Sequence, residues 1–248
     1  MIDEMQLALD RLRSLGTPEE LHTLAEKVQH WPPGQRANAH VHLPPNFSAF
    51  ESVEQAVSLA AEQGIRVLGA SNYYDFGVYG DFAMRAHSHG VYPLFGLEIV
   101  ALLEDLQRAS ILINDPANSG RMYLCGKGIV RFAPMTAVAR ELMLWIRQKD
   151  AGRMRQMVGQ VEQIFAAHGV DTGLNEQRIL DRIEDRYHVD RSSVYLQERH
   201  VAEAFQEEFF RLVPPSKRRR KLRAILGVPS GVEEADRLRA QHDIRASL

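Results

Sequence analysis

The run Arg36-Ala37-Asn38-Ala39-His40-Val41-His42-Leu43 ends abruptly against Pro44-Pro45-Asn46. Alternating small, apolar and polar residues halted by a proline pair predict a strand that opens into a loop. Successive strand side chains point to opposite faces, so His40 and His42 share one face while Val41 takes the other. Two imidazoles side by side at the carboxyl end of a strand have ligand geometry, at the place where α/β proteins gather their sites. An isolated pair of this kind is more often one satisfied polar side chain beside a solvated one, so the rest of the chain has to decide.

Upstream, Thr17-Pro18-Glu19-Glu20 combines an N-cap, a proline at the first helical position and a capping-box glutamate. Leu21, Leu24, Ala25 and Val28 follow at helical spacing, which makes residues 3–29 a helical leader. Downstream, Ser48-Ala49-Phe50-Glu51 offers another capping box, and Val53, Ala56, Val57 and Ala60 mark an amphipathic helix closed by Gly64. Ile65 to Ala70 reads as a strand, residues 79–89 as a helix and Val91 to Val100 as a further strand. That alternation is the pattern of parallel βαβ units. Ala109 to Ile113 and Met122 to Leu124, separated by a turn-rich segment, read as a hairpin or a pair of irregular strands. After Pro134 the apolar positions Val138, Leu142, Leu144, Ile146, Met157, Val161, Ile164, Ile179, Leu180 and Ile183 recur at helical intervals, and Pro214-Pro215-Ser216 sets off a last pair of helices.

The chain has 248 residues, 45% of them hydrophobic, which suffices for one large core or two smaller ones. No apolar run reaches membrane-spanning length and the start Met1-Ile2-Asp3-Glu4 is acidic, so a cytoplasmic protein without membrane attachment is expected. The single cysteine, Cys125, excludes an internal disulfide and any cysteine-based zinc cage, leaving His, Asp and Glu to hold a metal. A net charge of −2 gives no global reason to expect a nucleic-acid partner.

From His40 to Glu98 the order is His-x-His at a strand end, a helix, the strand Gly64-Ile65-Arg66-Val67-Leu68, a second helix, then Phe95-Gly96-Leu97-Glu98-Ile99. This order resembles the PHP family, the polymerase and histidinol phosphatase domain. The resemblance implies a distorted seven-stranded β/α barrel that binds divalent metals and hydrolyses phosphoesters with a metal-activated water. It makes His40 and His42 metal ligands and Glu98 a carboxylate that bridges two metals. Gln197-Glu198-Arg199-His200-Val201-Ala202 is similar to a signature in the helical part of one branch, which makes His200 a fourth ligand. Imidazoles with a carboxylate suit zinc, manganese or iron.

The chain also departs from that family. Ser71-Asn72-Tyr73 stands where Thr-Asp-His is usual, none of Asn46, Phe47 and Ser48 supplies an expected acid, and Tyr123 stands in the place of a histidine. About five strands are legible, fewer than a closed barrel of that family needs. The expected fold is therefore α/β, a partial or distorted PHP-like barrel followed by a large helical region. Residues 1–35 form the leader, 36–132 the β/α portion, 133–213 the helical region carrying His200, and 214–248 the C-terminal helices. A partner or a further C-terminal segment is expected to complete the barrel.

Two functions follow from this reading: a metal-dependent phosphoesterase acting on a phosphorylated small molecule or nucleotide, or a catalytically impaired relative that binds metal or a phosphorylated ligand in a regulatory or structural role. Asp75 and Asp81 are weighed as substitute ligands and set aside as solvated loop acids. His87-Ser88-His89 is read as a helix cap, because i and i+2 positions on a helix do not share a face. Tyr73, Tyr74, Phe76, Tyr79 and Phe82 suit either a stacking surface or a core, and Lys217-Arg218-Arg219-Arg220-Lys221 is read as a solvated helix flank.

Overall fold

The computed structural model describes residues 3–27, 34, 36–115, 118–227 and 236–247; Val28 lies outside them. The chain divides into two compact units, Met1–Met143 and Leu144–Leu248.

The first unit opens with helices α1 (Glu4–Arg13) and α2 (Pro18–Lys27). Between them Gly16 has a φ of +116°, a conformation that glycine adopts at little cost. The Thr17 capping box forms, with the Thr17 N–H donating to Glu20 Oε2 at 2.7 Å and the Glu20 N–H to Thr17 Oγ1 at 3.2 Å. Strand β1 (Arg36–Val41), helix α3 (Val53–Glu62), strand β2 (Ile65–Ala70), helix α4 (Tyr79–Ser88) and strand β3 (Tyr92–Phe95) then give the expected alternation. β1, β2 and β3 form a parallel sheet in that order, with α3 packed on β2 and α4 on β3. Val57, Leu68, Phe82, Ala86 and Phe95 are the centre of its core. The α3 cap sits one turn later than expected: Ser52 accepts the Gln55 N–H, whereas Ser48 Oγ donates to the His42 carbonyl at 2.5 Å.

Two expectations are corrected. Val91 to Val100 is not one strand: it breaks at Gly96 into β3 and β4 (Leu97–Leu102). A Cβ on Gly96 would stand 2.5 Å from Ser71 Oγ and 2.8 Å from both the Ala70 and Gly126 carbonyl oxygens, so only glycine fits where the chain leaves the parallel sheet. Nor is Ala109 to Ile113 a strand. It follows the short helix α5 (Glu104–Arg108), where Ser110 takes a φ of +56° and the Ile111 N–H returns to the Leu106 carbonyl at 2.9 Å, a Schellman-type ending. The hairpin partner of β5 (Arg121–Gly126) is instead β4, in a two-stranded antiparallel sheet. The described residues thus hold five strands in two sheets and no closed barrel.

Helix α6 (Ala137–Ala167) leads into the second unit, whose described residues contain no strand. Val138, Leu142 and Leu144 are exposed; the buried stripe is Met154, Val158, Val161 and Phe165, spaced by four, three and four. Those residues pack with Ile179 and Ile183 of α7 (Glu176–Tyr187) and with Val201, Phe205 and Phe209 of α8 (Glu198–Leu212). Helices α9 (Pro215–Leu226) and α10 (Arg237–Arg245) complete the unit.

Candidate metal centre

Short backbone bonds bring the ends of three strands together. The Ser71 N–H donates to the Val41 carbonyl at 2.8 Å, the Gly96 N–H to Ala70 at 2.7 Å and the Glu98 N–H to Asn72 at 3.1 Å. His40 and His42 therefore reach Glu98 from the end of β1, across the residues that follow β2. Their Nε2 atoms lie 2.9 and 3.4 Å from Glu98 Oε2, and 3.4 Å from each other. A metal with bonds of about 2.0–2.1 Å to nitrogen and oxygen separates neighbouring ligand atoms by about 2.8–3.4 Å, from octahedral to tetrahedral angles. The three atoms already stand at that spacing. Two imidazoles and one carboxylate form the donor set of open zinc and iron centres, so the residues present fit a divalent metal.

The electrostatics agree with this assignment. Burial lowers the His40 pKa, with neighbouring His42 and Lys127 acting the same way and Glu98 opposing them, so the imidazole is neutral and able to donate its lone pair. Burial pushes the Glu98 carboxyl upward, but hydrogen bonds from His42 and Tyr73 and electrostatic interaction with the two imidazoles bring it below its ordinary range. Glu98 is a carboxylate at neutral pH, although it is only 5% exposed. The Tyr73 hydroxyl donates to Glu98 Oε1 at 2.6 Å; burial and that carboxylate push its pKa well above the usual phenol range.

The sequence predicted four ligands, and three of them form the one cluster of three or more His, Cys, Asp or Glu side chains spaced to hold a metal ion among the described residues. His200, the fourth, lies in the second unit, where it is buried near the start of α8 and its Nδ1 accepts the Gln197 N–H at 3.2 Å. Asp81 binds Arg85 at 2.8 Å, and Asp75 accepts the Gly77 N–H at 3.0 Å. His89 caps α4 and meets Glu54 at 3.2 Å. Of the aromatic group, Tyr74, Tyr79 and Phe82 are buried and Phe76 stacks on Phe132 with ring centroids 4.6 Å apart, so the group is core and Tyr73 alone meets the centre. In the basic run, Arg218 binds the Phe210 carbonyl at 2.8 Å and lies over the Phe210 ring.

The substitutions relative to the resembled family have structural uses. Asn72, fully buried, accepts the Leu43 N–H at 2.8 Å and donates to the Leu43 carbonyl at 2.9 Å, so its amide pairs with a backbone unit as a strand would. Asn46 accepts the Tyr73 N–H at 2.7 Å. The two amides lock the loop after β1 to the loop after β2. A carboxylate cannot donate, so Asn72→Asp is expected to lower stability by about 1–3 kcal/mol in urea unfolding at neutral pH, by facing an acceptor with an acceptor, without raising metal stoichiometry.

Two neighbours of the centre were not singled out from sequence. Cys125 stands opposite Glu98 in the β4–β5 ladder; burial raises its pKa, and so does the neighbouring Glu98 carboxylate. Lys127 donates to the Ala39 carbonyl at 3.2 Å, beside His40. Only the pairing of β5 with β4 reveals either one, and the sequence pointed to a different hairpin.

No protein-family model matches the chain, and no curated protein matches it significantly. Among solved structures, a crystal structure from Bifidobacterium adolescentis, provisionally assigned as a metal-dependent phosphoesterase, is similar at a TM-score of 0.52 and 16% identity. The likeness covers 72% of this chain and 52% of that one, so the chain spans about half the length of that protein. At this identity the two share a fold in outline.

Proposed function

We propose that the chain is a PHP-like, metal-dependent phosphoester hydrolase whose cation is held by His40, His42 and Glu98. The observation that carries the reading is the triangle of two Nε2 atoms and one carboxylate oxygen at ligand-to-ligand spacing. The fold likeness to a protein provisionally assigned as a metal-dependent phosphoesterase supports the same chemistry. When bound, a divalent cation supplies Lewis acidity and lowers the pKa of water towards neutrality. His40 enters as a neutral donor, Glu98 brings the negative charge, and the Tyr73 hydroxyl fixes the carboxylate's orientation. Lys127 adds a cation near His40, suited to an anionic phosphoryl group. In its fullest form the reading includes a partner or further segment that completes the barrel.

The test is hydrolysis of p-nitrophenyl phosphate and bis-p-nitrophenyl phosphate with added Zn²⁺, Mn²⁺ or Fe²⁺. The expected result is metal-dependent release of p-nitrophenol that falls at least about a hundredfold in Glu98→Gln, the scale on which single catalytic groups act. Neutral Asn46 and Asn72, both committed to backbone bonds, favour one second reading, a domain that binds metal or a phosphorylated ligand without turnover. Stoichiometric metal with no hydrolysis of either ester would select it.

A further inference from the structure

Resting on the metal reading above, we infer that this centre holds one divalent cation and that Tyr73 is the positioning residue that keeps Glu98 bound through a single oxygen. The two carboxylate oxygens have different surroundings. Oε2 faces both imidazoles at 2.9 and 3.4 Å, whereas Oε1 accepts the Tyr73 hydroxyl at 2.6 Å. Tyr73 is itself held at three points: its N–H donates to Asn46, its backbone bridges to Glu98, and its ring stacks on His42 with centroids 5.0 Å apart and planes within 9°. A phenol so fixed presents a hydrogen-bond donor to Oε1, where a bridging carboxylate would need a second cation. A second cation would also need ligands of its own. Among the described residues no other three His, Cys, Asp or Glu side chains come within mutual reach. Outer hydrogen bonds of this kind orient a ligating carboxylate and are worth about 10–100-fold in metal affinity.

The experiment is equilibrium dialysis of the full chain against Zn²⁺ and Co²⁺, with metal counted by mass spectrometry and the Co²⁺ visible spectrum recorded for wild type and Tyr73→Phe. Phenylalanine keeps the ring on His42 and removes only the donor. One metal per wild-type chain is expected, with Tyr73→Phe still saturating at one, binding about 10–100-fold more weakly and showing a shifted Co²⁺ spectrum as Oε1 becomes available. Two or more metals per wild-type chain would overturn the single-cation inference while leaving the metal reading intact. One metal with unchanged affinity and spectrum in Tyr73→Phe would overturn the role of Tyr73. No uptake by wild type would sink the metal reading itself, and this inference with it.

Discussion

The His40→Ala, His42→Ala double variant is expected to lose divalent metal uptake altogether at concentrations that saturate the wild type. It removes two of three donors and leaves Glu98 with the Tyr73 hydroxyl, a pair that offers one carboxylate oxygen and a bound proton. Hydrogen bonds to ligands are alone worth about 10–100-fold in affinity, so removing two ligands outright is expected to cost well over a hundredfold. The same change strips two partners from a carboxylate that is 5% exposed, so some loss of stability accompanies the loss of metal. Glu98→Gln separates the two effects: it removes the negative charge, keeps the size and leaves an amide oxygen able to accept from Tyr73. Both variants are to be compared by dialysis and by far-ultraviolet circular dichroism. Wild-type uptake in a folded double variant would show that the cation sits elsewhere.

The three candidate ligands in the first unit were legible from short stretches of sequence. His40 and His42 alternate on a strand halted by prolines, and Gly96-Leu97-Glu98 stood out through its resemblance to the PHP family. Helices α3 and α4 were equally plain, since Val53, Ala56, Val57 and Ala60 are an apolar stripe and Gly64 ends it with a φ of +70°. What was not legible is non-local. Nothing in the letters of residues 91–100 distinguishes one long strand from two short ones; the break comes from the backbones of Ala70 and Gly126 crowding Gly96. Missing that break also misassigned the partner of β5, and with it the place of Cys125 beside Glu98. Asn72 and Tyr73 looked like failed ligands in sequence. In the fold one splices two loops and the other orients the carboxylate, because a side chain's role depends on which backbone it faces.

Phe95→Ala is expected to destabilise the first unit by about 3–5 kcal/mol, the cost of deleting a buried aromatic ring from a packed core. Phe95 is fully buried at the end of β3, with the rings of Phe132, Tyr79 and Phe82 at 5.4, 5.7 and 6.3 Å. Those rings are held on several sides and have little freedom to collapse into the space, which places the variant towards the upper end of that range. The damage is expected to extend to the metal centre through Tyr79. Its hydroxyl accepts the Asn72 N–H and donates to the Gly96 carbonyl, both at 2.9 Å, and so ties the end of β2 to the β3–β4 junction. With the wall beside Tyr79 removed, the Asn72–Tyr73 segment and Glu98 lose a shared anchor, so metal affinity falls together with stability although no ligand has changed. Hydrogen exchange checks both links, since protection is expected to drop across residues 65–70 and 92–95 and at the Glu98 amide. A loss below about 1 kcal/mol with unchanged exchange at Glu98 would mean that the aromatic cluster fills the core without positioning the site.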